Sequence, residues 1–332
     1  MIIKLGPAKK QRYNVFMQIR KSKMLTVAQF RSQFGEEAQC AAQLTRQRWP
    51  EGFRCPRCCG ASRGYMAARQ VHECAGCGYQ GSVTAGTIFH KTRTPLSSWF
   101  WAIYRMSHDK KGISAVQLGK EIGVSYPTAW LMQHKIRKAM ADRNSGYTLG
   151  GLVEVDEGYV GGHEPGTSGR GARNKAVVAV AVEHRGEGQP GRPPVPGFAA
   201  LQVLPNASAK SLDSFLAAKV RPGSHVRTDA WNGYWHVGAN GYTHTAVDLS
   251  KQAEAPHKLF PWVHITLGNL KRFLLGTHHQ VQAKHLDRYV AEFNYRLNRR
   301  EMEPDIMTRL LRATLQTSTI TYQQLIATPE LN

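Results

Sequence analysis

The chain has 332 residues, 42% of them hydrophobic, which is enough for two or three domains with a sizeable core and too apolar for a disordered chain. Lys and Arg number 44 against 23 acids, a formal charge of +21 that suits a polyanionic partner, because each neutralised phosphate releases condensed counterions. No run approaches the roughly 18 apolar residues of a membrane span and the N-terminus shows no apolar export core, so neither membrane insertion nor secretion is expected.

Residues 1–24 read as a basic arm: the first 23 hold seven Lys/Arg and no acid. Such a segment can lie on a phosphate backbone or serve as an unstructured leader. Residues 25–52 form an N-terminal helical segment, with a periodic pattern from Thr26 to Gln47 and Thr26 as its N-cap.

Residues 53–92 carry the sharpest local signal. Cys55 and Cys58 make one C-x2-C pair and Cys74 and Cys77 a second, with 15 residues between the inner cysteines. Two knuckles at that spacing supply four thiolates to a tetrahedral zinc ion, the pattern of a zinc ribbon. Four protein ligands leave no open position, so the zinc is structural and the chemistry lies elsewhere. Only Cys40 and Cys59 remain, which argues against a disulfide framework and for a reducing cytoplasm.

Residues 93–145 turn helical. Trp99, Trp101, Ile103 and Tyr104 fill one helix, and the apolar helix that starts near Ile113 leads through Gly123 into a second helix opened by Ser125, with Pro127 near its first turn. An apolar helix, a glycine in the turn and a capped second helix form a helix-turn-helix pattern. Its second helix would present Gln133, His134, Lys135, Arg137 and Lys138 to a DNA groove. A plain helical hairpin is the alternative.

From residue 150 strands take over. Leu152 to Asp156 alternates, Ala176 to Val182 is a continuous apolar run, and Ala199 to Leu204 makes a third strand. A glycine-rich basic loop, 161–175, and a loop with four prolines and four glycines, 184–197, separate them. A helix from Ser208 to Ala218 leads into a fourth strand, His225 to Asp229, and helices follow around 264–275 and 284–299. The fold class is α/β: a mixed sheet flanked by helices over 150–303, with 304–332 as a C-terminal tail. Asp156 and Asp229 end the first and fourth strands, where neighbouring carboxylates would hold Mg²⁺. On spacing alone, an Asp after a strand serves equally well as a turn or cap residue.

Four stretches carry a family resemblance: Val153 to Gly162 (VEVDEGYVGG), Thr228 to Tyr234 (TDAWNGY), Leu270 to His279 (LKRFLLGTHH) and Tyr289 to Arg300 (YVAEFNYRLNRR). Together with the ribbon they make the chain resemble bacterial insertion-sequence transposases that join an N-terminal zinc ribbon to a DDE-type, ribonuclease H-like catalytic domain. The resemblance covers most of residues 25–300. It implies cleavage at the ends of a mobile element and transfer of the freed 3′-hydroxyl into target DNA. It also implies Mg²⁺ or Mn²⁺ held by Asp156 and Asp229, double-stranded DNA as partner, a homo-oligomer that bridges two ends, and a bacterial cytoplasmic, nucleoid-associated setting.

The family's third acid is missing, since no Asp or Glu occurs from Ala255 to Leu286. A branch of the family is similar in carrying Asn there, and Asn269 offers a carbonyl oxygen suited to a hard cation. Counting back seven residues from Lys271 instead reaches His264, whose imidazole suits Mn²⁺ better than Mg²⁺. Chemistry favours Asn269 and the helical register leaves His264 open. Lys271 and Arg272 are expected to clamp substrate phosphates. The missing acid keeps an alternative in view, a decayed transposase acting as a sequence-specific DNA-binding protein. A plain nuclease of this fold and a zinc-ribbon transcription or replication factor are the other readings.

Overall fold

The computed structural model describes residues 24–66, 69, 71–161, 175–186, 195–279 and 281–327. The basic arm, the glycine-rich loop and the centre of the proline-rich loop therefore lie outside the described residues.

The N-terminal helical pattern resolves into two helices, α1 (Val27–Phe34) and α2 (Glu37–Arg48), split at Gly35. Thr26 caps α1 as expected, its hydroxyl accepting the Gln29 N–H while Gln29 Oε1 accepts the Thr26 N–H. Next come three short antiparallel strands, β1 (Ser62–Met66), β2 (Val71–Cys74) and β3 (Gln80–Ser82), in the order β1-β2-β3. Helices α3 (Leu96–His108), α4 (Ala115–Ile122) and α5 (Tyr126–Asn144) complete this half. Ser114 caps α4 through its hydroxyl, and Gly123 ends it in the left-handed region at φ 67°, where a side chain would be strained.

The second half is built on a five-stranded sheet: β4 (Leu152–Val160), β5 (Ala176–Arg185), β6 (Val195–Leu204), β7 (His225–Asp229) and β8 (Thr243–Val247). Their order is β6-β5-β4-β7-β8; β4, β5 and β6 pair antiparallel, whereas β4–β7 and β7–β8 are parallel. Helix α6 (Ala209–Lys219) provides the crossover into β7 that a parallel pair requires. This is the ribonuclease H-like mixed sheet expected above. The edge strand β8 was not anticipated, because Thr243, His244 and Thr245 carry no apolar alternation.

Both faces of the sheet are covered, which explains the unbroken apolar run of β5. Val177, Ala179 and Ala181 point towards Leu212, Phe215 and Leu216 of α6. Val178, Val180 and Val182 point to the opposite layer, made by α7 (Pro261–Phe273) and α8 (Ala283–Leu297).

The segment expected to be a tail is structural. Helix α9 (Ile306–Gln316) buries Ile306, Met307, Leu310 and Leu311 in the same core as Phe30, Leu44, Phe100 and Ile136. The C-terminus thus returns to close the helical half, and a short helix, α10 (Tyr322–Ile326), follows. Among the described residues, no helix is long and apolar enough to cross a membrane.

Candidate active site and metal centre

The last paired residues of β4 and β7 are Glu154 and Arg227. Extending that parallel register by two residues brings Asp156 level with Asp229; Asp229 ends β7 as expected, whereas Asp156 lies midway along β4, which runs on to Val160, and not at its end. Because side chains alternate along a strand, both carboxylates share the sheet face occupied by Glu154. Asp156 Oδ1 accepts its neighbour Glu157's N–H at 2.8 Å, and Asp229 Oδ1 accepts the Trp231 N–H at 3.2 Å. Asp229 therefore does stabilise the turn that follows its strand, while also standing beside a second acid.

Helix α7 runs along this face of β4 in a series of contacts. Phe260, at its N-cap position, makes no side-chain cap. Glu154 replaces that cap: its Oε2 accepts the N–H groups of Trp262 and Val263 at 3.0 and 3.2 Å. A carboxylate here satisfies orphan donors and meets the positive end of the helix dipole. Its other oxygen lies 2.8 Å from His184 Nε2, and the Glu154 side chain is fully buried. One step further along the strand, His264 Nδ1 lies 4.0 Å from Asp156 Oδ2. One step beyond that, Leu267 packs so closely on Gly158 that a Cβ there would come within 2.6 Å of Leu267 Cδ2. Gly158 is thus what allows the helix to approach the strand.

Asn269 lies past this series, and its Oδ1 accepts a hydrogen bond from Arg272 Nη2 at 2.7 Å. Arg272 Nε donates to the Gly268 carbonyl, so half-buried Asn269 and exposed Arg272 are tied along the helix. Lys271 is exposed and lies seven residues beyond His264, two turns on along the same helix face.

On the reverse side of β4, Glu157 accepts the Tyr234 hydroxyl at 2.8 Å. Burial, then the carboxylates of Glu157, Asp156 and Asp229, hold the Tyr234 phenol well above its usual range. That phenol is close enough to sense all three acids, which gather where the middle of β4 meets the end of β7. Among the described residues, Asp156, Asp229 and His264 do not bring their ligand atoms within 4.8 Å of one another as a trio, whereas the four cysteines do.

The cysteines converge as their spacing predicted. Cys58 Sγ lies 3.4 Å from Cys74 Sγ and 3.5 Å from Cys77 Sγ, and Cys55 Sγ lies 3.6 Å from Cys77 Sγ. A tetrahedron with metal–sulfur bonds of about 2.3 Å has edges of about 3.8 Å, so the donor set fits zinc. Backbone N–H donation from Cys77 lowers the Cys74 thiol, while Cys58, despite N–H donation from Gly60, is raised by its hydrogen bonds to Cys74 and Cys77, so the clustered sulfurs share protons that a bound metal would displace. Gly60 sits against this cluster, where a Cβ would fall 3.1 Å from Cys74 Sγ.

The helix-turn-helix reading needs correction at three residues. Gln133, His134 and Arg137 are buried, so α5 does not offer them to a groove. Gln133 Nε2 donates to the Ile113 carbonyl at 2.9 Å. Arg137 Nε donates to Glu292 Oε2 at 2.8 Å, and its guanidinium lies 3.9 Å above the Tyr289 ring. His134 packs among Trp130, His285 and Tyr289, and burial, then the charge of Arg137, pushes its pKa far down. His134 and Arg137 thus join α5 to α8, and Gln133 ties α5 to the segment before α4. Lys138 is ion-paired with Asp142 at 2.6 Å, and Lys135 is partly buried with its pKa lowered by that burial. The exposed end of the motif is the first turn of α5, at Ser125, Tyr126 and Pro127.

Sequence reasoning missed the His184 partner of Glu154 and the role of Gly158. Only the glycine left a signal, an unusual residue inside an otherwise strong strand.

Residues 148–298 match the model of the ISXO2-like transposase domain, and residues 35–80 match that of the transposase zinc-ribbon domain. Among curated proteins none matches the chain. The solved structures similar to it include a Mos1 transposase paired-end complex with left transposon end. That likeness has 10% identity over 66% of this chain and 79% of the other, at a TM-score of 0.26. The Mos1 strand transfer complex matches at 12% identity over 67% of this chain and 78% of the other, with a TM-score of 0.21. Overlaps this loose carry no weight for activity or partner.

Proposed function

The chain joins a transposase zinc ribbon, residues 35–80, to an ISXO2-like transposase domain, residues 148–298, and from that premise we propose that it cleaves DNA at the ends of an insertion sequence and joins the freed 3′-hydroxyl to target DNA. The observation that supports this reading is that Asp156, midway along β4, and Asp229, at the end of β7, share one sheet face, with His264 Nδ1 4.0 Å from Asp156 Oδ2. Two carboxylates beside an imidazole make a donor set for divalent cations, with His264 rather than Asn269 in the third position. Asp156, Asp229 and His264 would hold Mg²⁺ or Mn²⁺, which would supply Lewis-acid stabilisation to an in-line displacement at phosphorus.

The chain's own residues position the reaction. Glu154 fixes α7 against β4 and so keeps His264 over Asp156. Lys271, on the His264 face and exposed, holds a substrate phosphate near the acids, and Arg272 supports the same strand of DNA. Hydrolysis and strand transfer are both displacements at phosphorus, so one site serves both without a covalent protein intermediate.

Element ends are bound by the zinc ribbon and the α4–α5 pair, with the first turn of α5 entering the groove, as N-terminal residues of recognition helices do. The working form is a homo-oligomer holding two ends. The test is a strand-transfer assay with purified protein, labelled end DNA and a target plasmid, run in parallel with Mg²⁺ and Mn²⁺. Joined product supports the proposal. No product, with specific end binding retained, contradicts it and leaves a DNA-binding protein without catalysis.

A further inference from the structure

A cleft of about 480 Å³ on the helical half is lined by five arginines: Arg46, Arg143, Arg299, Arg309 and Arg312. They come from four separate places, the last turn of α2, the last turn of α5, the segment after α8, and one face of α9. Asp305 is the single acid in the lining. Among the described residues it forms no ion pair with any of the five, and none of the five pairs with another carboxylate.

Helix dipoles favour cations in last turns, which accounts in part for Arg46 and Arg143. It does not account for Arg309 and Arg312, which are three residues apart within α9 and exposed side by side. Least of all does it explain Arg299, which is only 3% exposed. Its guanidinium donates to Asn144 Oδ1, the Tyr295 carbonyl and the Tyr147 hydroxyl, and stacks 3.6 Å from the Tyr295 ring. All these partners are neutral. The contrast with Arg137 is informative, since that fully buried guanidinium has a buried carboxylate, Glu292, at 2.8 Å. A buried cation lacking a counter-charge inside the protein, at the base of a cleft rimmed by four more, calls for an anion from outside.

We propose that this cleft docks the phosphate backbone of duplex DNA, making a second DNA contact on the helical half, separate from the Asp156–Asp229 face of the sheet. Arginine's planar fork suits phosphate oxygens, and spreading five of them over four chain segments suits successive phosphates of one strand rather than one small ion. The proposal rests on the reading of the chain as a DNA transposase. It adds where the substrate, or a second DNA segment, is gripped.

The test is binding of a random-sequence duplex across a range of salt concentrations, comparing wild type with the double variant Arg309→Gln/Arg312→Gln. Both side chains are exposed, so the fold and zinc content should be retained. Loss of two phosphate contacts makes the slope of log affinity against log salt shallower by about 2. If the double variant does not fold, either single variant should shift the slope by about 1. A wild-type slope in the variants overturns the proposal. Inorganic phosphate alone is the second probe: thermal stabilisation by phosphate that the variants lose, with their DNA slope unchanged, identifies a small-anion site and also overturns it. Asp156→Asn, assayed beside them, separates the two readings, because it should keep the wild-type slope while losing cleavage. Cleavage retained by Asp156→Asn would defeat the catalytic assignment and leave the slope comparison to judge the cleft.

Discussion

His264 Nδ1 lies 4.0 Å from Asp156 Oδ2, and the contact exists because Glu154, two residues earlier on the same strand face, holds the first turn of the histidine's helix. Strand and helix therefore carry their functional residues in matched register. His264 is the residue of α7 that stands beside Asp156, whereas Asn269 is engaged by Arg272, and the proposed third-ligand role of His264 can be tested on that difference. Replacing His264 with Ala should reduce cleavage by more than the ~10–100-fold typical of a merely supporting partner. Asn269→Ala should leave it close to wild type. His264→Glu should retain activity and move the preference from Mn²⁺ towards Mg²⁺, as an oxygen replaces a nitrogen. Cleavage rates of the three variants in each metal decide the matter, and loss confined to Asn269→Ala would reverse the assignment.

Glu154 should act through position alone. In Glu154→Ala two helix N–H groups and His184 lose their buried acceptor, at a cost of about 1–3 kcal/mol. Glu154→Gln keeps an accepting oxygen and should recover most of the stability and the cleavage. Urea unfolding together with cleavage rates checks this. Equal loss of cleavage in Gln and Ala variants, with stability intact in Gln, would mean that the carboxylate charge itself takes part.

The two halves of the molecule are joined by a buried pair, Arg137 of α5 and Glu292 of α8. The same carboxylate lies 3.5 Å from Arg296. Those guanidinium charges, set against the burial that would raise it, keep the Glu292 carboxyl below its ordinary value. Glu292→Ala leaves uncompensated positive charge in the interior and should destabilise the protein by about 3–5 kcal/mol. Combining it with Arg137→Met should recover part of that loss. A denaturant midpoint close to wild type for the single variant would show that the pair contributes little.

How far the sequence could be read varies with the range over which each feature is decided. The zinc ligands were legible because two short knuckles define them, and the sheet because β4 and β5 carry strong local patterns. Arg137 was misread as a groove residue because its partner lies 155 positions away, and polar side chains on a helix look exposed until that partner is known. The seven-residue interval from His264 to Lys271 pointed to the residue now found beside Asp156, while ligand chemistry alone pointed to Asn269. Helix α9 had a readable apolar face in Ile306, Met307, Leu310 and Leu311, but only the fold shows that it closes the distant N-terminal core. The arginines of the cleft are scattered from Arg46 to Arg312, and no local pattern unites them.

Acid should destabilise the protein through its buried histidines. Burial, then nearby Arg137, lowers His278 to about 4, and His134 is pushed down by the same causes. A folded-state value below the unfolded one means that the unfolded chain binds more protons, so stability is present above about 6.5 and is lost as pH falls from there towards 4. Each such imidazole contributes about 1.4 kcal/mol per pH unit within that window. His134→Phe keeps the aromatic packing and should remove one proton from the pH slope of unfolding free energy. An unchanged slope would show that His134 does not titrate on unfolding.

The most direct measurement of the central claim takes wild type, Asp156→Asn and Asp229→Asn and reads end binding and cleavage in the same samples, with Mg²⁺ or Mn²⁺ present. The predicted result is loss of cleavage in both variants with end binding close to wild type, because the acids do chemistry while the ribbon and helices hold DNA. Cleavage retained by either variant, or binding lost as fully as cleavage, would contradict it.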